Sequence, residues 1–244
     1  MEESKIKYDD VIKSISENQH QILYNIMNLH NNGEPFYADM TYSSGKFYEQ
    51  DKKYFIPQPK IKMDVYPQSD DIIKIEPLGK LPLDDNSIPS LVIDLPFVIS
   101  CGPSMSSNEK GKNIISKRFS GYYPRENMFE SYYHWINEAY RVLQDNGILV
   151  FKCQGSVSGG IQLLTPEFSW LVATQCGFYP KDQFFTIAKA RLHSGKIKKQ
   201  EHARKFTSTF WVFKKDTKKR DIRYFNYMSD EQKTNFFGKL KCKM

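Results

Sequence analysis

An α/β fold, a mostly parallel sheet flanked by helices, is predicted by three features of the sequence. Segments with strand and helix patterning alternate along the chain, which favours a sheet covered by helices over an all-α or all-β core. The run Leu91-Val92-Ile93-Asp94-Leu95-Pro96-Phe97 reads as a buried strand that ends in an acid, a proline and an aromatic ring. The 244 residues, 40% hydrophobic and 14% aromatic, are enough for one domain with a sizeable core. That domain is assigned to residues 1–215, and residues 216–244 to a basic C-terminal tail.

Residues 1–32 carry Ile6, Val11, Ile15, Ile22, Ile26 and Leu29 at mostly helical spacing and close on Gly33 and Pro35, which predicts one or two helices. Residues 34–48 predict a short strand running into the small-residue turn Ser43-Ser44-Gly45, where a ligand could approach the main chain and Gly45 tolerates a positive φ. Residues 49–60, with Pro57, Pro59 and three lysines, read as a connector. Residues 61–67 alternate as a strand containing Asp64, residues 72–76 form a further strand, and a polar turn from Leu81 to Ser87 leads into the strand that ends at Asp94.

Residues 98–124, rich in Gly, Ser, Asn and Lys, are too long for a plain connection in a compact domain and are read as a mobile flap beside the site. Met128, Phe129, Tyr132, Tyr133, Ile136, Ala139, Tyr140 and Leu143 keep helical period from Arg125 to Gln144, and Asp145-Asn146-Gly147 ends that helix. Residues 148–153 read as a buried strand, 166–176 as a helix, and 184–188 and 206–213 as two closing strands. The tail mixes charge with Tyr224, Phe225, Tyr227, Phe236 and Phe237 and is expected to be helical or partly disordered.

No stretch approaches the ~18 apolar residues that span a bilayer, and Met1-Glu2-Glu3-Ser4-Lys5 is too acidic and polar to begin a signal peptide, so a cytoplasmic protein without membrane contact is expected. Cys101, Cys153, Cys176 and Cys242 form no C-x-x-C pair, and the five histidines lack metal-ligand spacing, so no disulfide framework and no metal are predicted. Residues 181–223 hold fourteen Lys or Arg against four Asp or Glu, ten of the excess positive charge in a chain whose total is +7. A field so concentrated suits a polyanion, most simply nucleic acid; a solvated basic face is the competing explanation. Lys189, Arg191, Lys196, Lys198, Lys199, Arg204 and Lys205 are the candidate phosphate contacts, with Lys117 and Arg118 from the flap.

A carboxylate at the carboxyl end of a strand faces the crevice where open α/β sheets bind ligands, so Asp94 is the first candidate for chemistry. Pro96 stops further pairing, and Phe97 offers a flat surface to a planar amine. Asp64 follows Asp39 by 25 positions, about the distance at which nucleotide-binding α/β folds place an acid on ribose hydroxyls. The bland alternatives are a solvated acid after a core strand and an Asp-containing turn before Pro67.

Taken in order, the strand with its small-residue turn, the second acid, the strand ending in D-L-P-F, the helix, N-G-I-L-V-F and two closing strands resemble the S-adenosylmethionine-dependent methyltransferases over roughly residues 20–215. The resemblance is nearest to the amino-methylating DNA methyltransferases of bacteria and phages, including those of restriction–modification systems. It implies a Rossmann-like class I methyltransferase fold, S-adenosyl-L-methionine as cofactor, and methyl transfer to an exocyclic amine of a base flipped from duplex DNA. Adenine N6 is the leading target; cytosine N4 and guanine N2 of RNA are the alternatives. The family's first motif, approximately D-P-x-x-G-S-G, lies on Asp39-Met40-Thr41-Tyr42-Ser43-Ser44-Gly45, with Met40 in place of the proline and Ser43 in place of the first glycine. Asp64 matches the ribose-binding acid, and Glu76 stands beside the place of an acid near the cofactor's adenine. Asp94, Leu95, Pro96 and Phe97 lie on the catalytic D/N/S-P-P-Y/F/W motif, from which Leu95 departs.

Those assignments imply that the Asp94 carboxylate and the main-chain carbonyl of Leu95 or Pro96 accept the two amine hydrogens while Phe97 stacks on the base. A cytosine-C5 enzyme is disfavoured because Cys101 lies five residues after Pro96, and a nicotinamide dehydrogenase because no G-x-G-x-x-G follows the first strand. The reading from another class is a catalytically weakened nucleic-acid-binding protein of the same fold, completed by a protein partner or as a homodimer.

Overall fold

The computed structural model describes residues 11–48, 53–97, 125–158, 160–189, 199–216 and 229–231. Its elements are β1 (Ile15–Ser16), α1 (Gln19–His30), β2 (Ala38–Asp39), a 3-10 turn (Lys46–Tyr48), β3 (Ile61–Asp64), β4 (Ile73–Lys74) and β5 (Ile88–Asp94). They continue with α2 (Arg125–Val142), β6 (Leu143–Cys153), β7 (Ser156–Ser158), β8 (Ile161–Leu163), α3 (Thr165–Cys176), β9 (Phe178–Ile187) and β10 (Thr207–Lys215).

Eight strands form one sheet in the order β1-β9-β10-β6-β5-β2-β3-β4, and β7 and β8 form a separate hairpin. Every pairing in the sheet is parallel except those of β10, which runs antiparallel to both β6 and β9. The α/β sheet expected from the alternation is therefore present, mostly parallel and Rossmann-like as the resemblance implies. The chain moves outward from β2 to β3 and β4, then returns to the other side of β2 with β5 and continues to β6. The strand order thus reverses between β2 and β5, and in open α/β sheets such a reversal leaves a crevice outside the carboxyl ends of the strands.

Helices cover both faces, which is why the central strands read as unbroken apolar runs. Leu91, Ile93, Leu149 and Phe151 pack with Met128, Tyr132, Trp135 and Ile136 of α2 and with Val172 and Ala173 of α3. The alternate residues Val92, Ile148 and Val150 pack on the opposite face with Ile22, Leu23 and Ile26 of α1. This two-residue alternation fixes which side chains of β5 and β6 face which helix. Arg141 locks the turn before β5, its guanidinium donating to the carbonyls of Leu81 (3.1 Å) and Leu83 (2.8 Å) and pairing with Asp85 and Glu138 (2.7 Å each).

Several boundaries differ from the sequence expectation for identifiable reasons. Val11 and Ile15 are exposed and precede the helix, because Asn18 caps α1 by accepting from the His20 N–H (2.8 Å) and Ile15 pairs with Phe185 at the sheet edge. Helix α2 stops at Val142, two residues early, where the N–H groups of Asn86 and Ser87 bind the carbonyls of Arg141 and Val142. Asn146 then takes a positive φ of 67° in the turn into the buried part of β6. Strand β9 begins at Phe178, six residues before the expected start, because β10 pairs with it as far as Lys215–Phe178. Pro180 is tolerated there because β1 covers only Phe185 and Thr186 on the other side of β9. Strands β3 and β4 are shorter than expected, and the β7–β8 hairpin was not predicted.

The expected flap of residues 98–124 lies outside the described residues, as does the tail apart from Asp216 and residues 229–231. No helix among the described residues is long and apolar enough to cross a membrane.

Candidate active site

Three neighbouring strands, β3, β2 and β5, each end in an aspartate: Asp64, Asp39 and Asp94. All three therefore lie at the carboxyl edge, with Asp39 and Asp94 flanking the reversal in strand order. The main chain after β2 continues the pairing for a short distance, the Met40 N–H donating to Val92 O (3.2 Å) and the Tyr42 N–H to Met63 O (3.0 Å). This draws residues 40–45 into the space between the ends of β3 and β5.

Asp39 is 1% exposed, and both its oxygens are filled from within the protein. Oδ1 accepts from the Thr41 N–H (2.8 Å) and the Thr41 hydroxyl (3.1 Å), and Oδ2 accepts from the Tyr48 hydroxyl (2.9 Å). Burial pushes the Asp39 carboxyl up to about 7, against the opposing pull of these hydrogen bonds. The Thr41 hydroxyl also accepts the main-chain N–H of Asp94 (2.7 Å), so one threonine ties the two strand-end acids together. Asp64 is likewise buried, with one main-chain donor on each oxygen: Oδ2 accepts from the Ser43 N–H (2.8 Å) and Oδ1 from the Tyr66 N–H (2.7 Å). Burial raises its pKa above the ordinary carboxylate range.

The Ser43-Ser44-Gly45 turn needs the left-handed backbone twice, at Ser43 (φ 51°) and Gly45 (φ 70°). Close approach at Gly45 is made by the protein itself: a Cβ there would lie 2.7 Å from Cζ of Tyr42. The Tyr42 ring stacks on Tyr48 (centroids 5.6 Å apart) and its hydroxyl bonds Gln58. Ser44 is exposed. Hydrogen bonds thus bring Asp39, Thr41, Ser43, Asp64 and Asp94 into one cluster, with Tyr42 across the turn. Glu76 stands apart, two residues beyond β4, exposed and paired with Lys74 at 3.5 Å.

Asp94 is finished differently from its two neighbours. Oδ2 pairs with the Lys152 ammonium at 2.9 Å, whereas Oδ1 is out of contact with solvent and has no hydrogen-bond partner. Among the described residues only one other buried side-chain atom, His30 Nδ1, lacks a partner. Lys152 stands opposite Asp94 in the β5–β6 register. Its ammonium lies 4.9 Å from the ring centre of Phe47 and 5.6 Å from that of Phe210. Beyond Asp94, Leu95 is buried in the core under α2, the Pro96 carbonyl accepts from the Tyr132 hydroxyl at 3.5 Å, and Phe97 is half-buried.

Lys152, Phe47 and Tyr48 are the site residues that sequence reasoning missed. Lys152 left a usable signal, a lone charge inside the apolar run Ile148-Leu149-Val150-Phe151-Lys152-Cys153. Cys153 beside it is a buried thiol whose pKa is raised by burial, which makes it inert as a nucleophile at neutral pH.

The basic stretch begins on the same edge. Asp94, Lys152, Phe210 and Phe184 form one row across β5, β6, β10 and β9, and the β9–β10 connection leaves three residues beyond Phe184. Within it Lys189 and Lys199 are exposed, Arg204 and Lys205 are half-buried, and Lys189 pairs with Glu17 at 3.2 Å. Lys117, Arg118, Arg191, Lys196 and Lys198 lie outside the described residues.

No family model matches the chain, and no curated protein matches it. Among solved structures it is similar to a PvuII DNA methyltransferase, cytosine-N4-specific, at 14% identity over 56% of this chain and 45% of that one (TM-score 0.38). It is similar to a candidate DNA modification methylase from Thermus thermophilus in complex with S-adenosyl-L-methionine, at 13% identity over 64% of this chain and 61% of that one (TM-score 0.38). A SAM-dependent methyltransferase from Archaeoglobus fulgidus is 12% identical over 80% of this chain and 94% of that one (TM-score 0.43). The chain spans about half the length of the PvuII enzyme and about three fifths of the Thermus protein.

Proposed function

We propose that the chain is an S-adenosylmethionine-dependent methyltransferase of the amino-methylating DNA type, with an exocyclic amine of a flipped base as its target and adenine N6 as the leading one. The observation that carries the proposal is Asp94: a carboxylate beside the reversal in strand order, with one oxygen held by Lys152 and the other left without a donor. A buried acceptor in that state costs roughly 1–3 kcal/mol until a donor reaches it, and an amine N–H is such a donor.

The residues present fit the cofactor. Each Asp64 oxygen keeps a lone pair after binding its main-chain N–H and can accept from a ribose hydroxyl. The Thr41–Ser44 main chain lies between Asp64 and Asp94, where the methionine moiety would run. S-Adenosylmethionine supplies an electrophilic methyl carbon on a sulfonium and retains the sulfur–carbon electron pair when the methyl leaves.

Asp94 Oδ1 would accept one amine hydrogen and the carbonyl of Leu95 or Pro96 the other, favouring the pyramidal amine whose lone pair is free. Phe97 would stack on the base and hold its nitrogen in line with the methyl carbon. As the nitrogen–carbon bond forms, the amine proton becomes acidic and passes to Asp94 or solvent, so no strong base is needed. The basic connection after β9 would grip phosphates, which fixes register and adds little sequence choice.

The test is transfer of labelled methyl from S-adenosylmethionine to duplex DNA, single-stranded DNA and RNA, followed by nucleoside mass spectrometry. N6-methyladenine is the expected product. N4-methylcytosine or N2-methylguanine would keep the mechanism and change the target, and failure of both transfer and cofactor binding overturns the proposal. Tyr42 lying against Gly45 favours a second reading, a catalytically weakened nucleic-acid-binding protein. It is distinguished by nucleic-acid affinity without a calorimetric signal for the cofactor.

A further inference from the structure

Lys152 is a partly buried ammonium with unused capacity. Its side chain is 12% exposed, it has three N–H donors, and among the described residues the one acceptor bonded to it is Asp94 Oδ2. Phe47 and Phe210 hold the ammonium by their ring faces, an attraction that consumes no directed acceptor. Next to it Asp94 Oδ1 is an acceptor without a donor. A donor with hydrogens to give and an acceptor with none received are therefore side by side on adjacent strands, at the end of the row where the target base is expected. The carboxylate and the ammonium together carry no net charge, so this pair attracts a ligand by hydrogen-bond complementarity more than by field.

Resting on the function proposed above, we infer that Lys152 is a specificity-determining residue that reads the ring atom beside the target amine. The complementary ligand gives an N–H to Asp94 Oδ1 and offers a bare ring nitrogen to Lys152 Nζ. That pattern, an exocyclic amine next to an unprotonated ring nitrogen, is the Watson–Crick edge of adenine (N6 with N1) and of cytosine (N4 with N3). On guanine's Watson–Crick edge the N2 amine stands next to N1–H, which would point a hydrogen at an ammonium; guanine shows the pattern only on its other edge, between N2 and N3. The pair thus selects adenine or cytosine and rejects guanine on that edge, the kind of reading by which flipped bases are identified.

The test uses the full chain, its Lys152→Met and Lys152→Arg variants, and a duplex oligonucleotide containing the methylated position mapped on the unmodified protein. The target is supplied intact or with the flanking ring nitrogen replaced by C–H (1-deazaadenine or 3-deazacytosine). Lys152→Met is expected to lower kcat/KM for the oligonucleotide on the order of 10- to 100-fold, with cofactor affinity unchanged and partial recovery in Lys152→Arg. The deaza substitution should cost the unmodified protein a similar factor and Lys152→Met nothing further, because both remove the same hydrogen bond. A structural role for Lys152 would make the two losses multiply, and that result overturns the inference. No transfer to any nucleic acid by the unmodified protein would instead overturn the parent proposal and this one with it.

Discussion

Asp39 and Asp64 end β2 and β3 with both carboxylate oxygens filled from within the protein, Asp39 by Thr41 and Tyr48 and Asp64 by Ser43 and Tyr66. Asp94, at the end of the strand on the other side of the reversal, has a lysine on one oxygen and nothing on the other. The same residue type at the same edge of one sheet is thus used in two ways. On the β2–β3 side the acids are fastened to the loop that follows each strand, and this shapes a bed before any ligand arrives. On the β5–β6 side two polar groups are brought together and left incomplete. Polar groups in protein interiors are generally satisfied, so the incomplete pair is where a ligand contributes most.

The largest effect that distinguishes the two sides is on turnover. Asp94→Ala is expected to reduce methyl transfer by about 10²- to 10³-fold while leaving cofactor affinity nearly unchanged, because its free oxygen is assigned to the amine. Single-turnover rates read beside calorimetric titration check this, and undiminished turnover would end the contrast.

The filled side should respond in stability. Asp39 holds its proton to about pH 7 in the fold but releases it near 3.8 when unfolded, so between those values the native state binds more protons than the unfolded chain. Its contribution is therefore fully present below pH ~4 and declines as pH rises towards 7, by an amount on the order of 4 kcal/mol. Asp39→Asn removes that slope; urea denaturation of both proteins from pH 4 to 8 should give a difference that falls with pH and then levels off. A smaller effect belongs to Asp64→Ala, which should weaken cofactor binding by about 1–3 kcal/mol if Asp64 is the acceptor of the ribose hydroxyls, as proposed. Calorimetric affinity equal to that of the unmodified protein would refute that role.

The filled side was the more legible in the sequence. Asp94 could be found as an acid closing a strand, and Asp39 and Asp64 as acids within short segments of strand patterning, since such segments are marked by alternation, by short apolar runs and by prolines such as Pro67 and Pro96. The central strands and α2 could be read because burial on both faces leaves unbroken apolar runs and burial on one face leaves a helical period. Strand β1 and the first half of β9 could not, because each exists through a lateral partner: two residues of β1 lie along β9, and Pro180 sits in a strand only because β10 holds it there. Lys152 belongs to that second kind. Its closeness to Asp94 is a matter of β5–β6 register across 58 positions, which no local pattern encodes.

The smallest expected effect concerns how nucleic acid reaches the incomplete side. The β9–β10 connection leaves the sheet on the edge that carries Asp94 and Lys152, and under the proposed function its lysines would grip phosphates of the substrate. Each phosphate neutralised by a lysine releases condensed counterions, so neutralising Lys196, Lys198 and Lys199 should flatten the salt dependence of duplex binding by up to ~0.9 in the log–log slope for every phosphate no longer gripped. The weakening should be nearly independent of base sequence, because phosphates position a duplex without reading it. The catalytic step of bound complexes should be unaffected, which separates these lysines from Lys152. Fluorescence anisotropy across a salt series measures the slope, and an unchanged slope would return the stretch to a solvated basic face and leave the incomplete pair without a guide for its substrate.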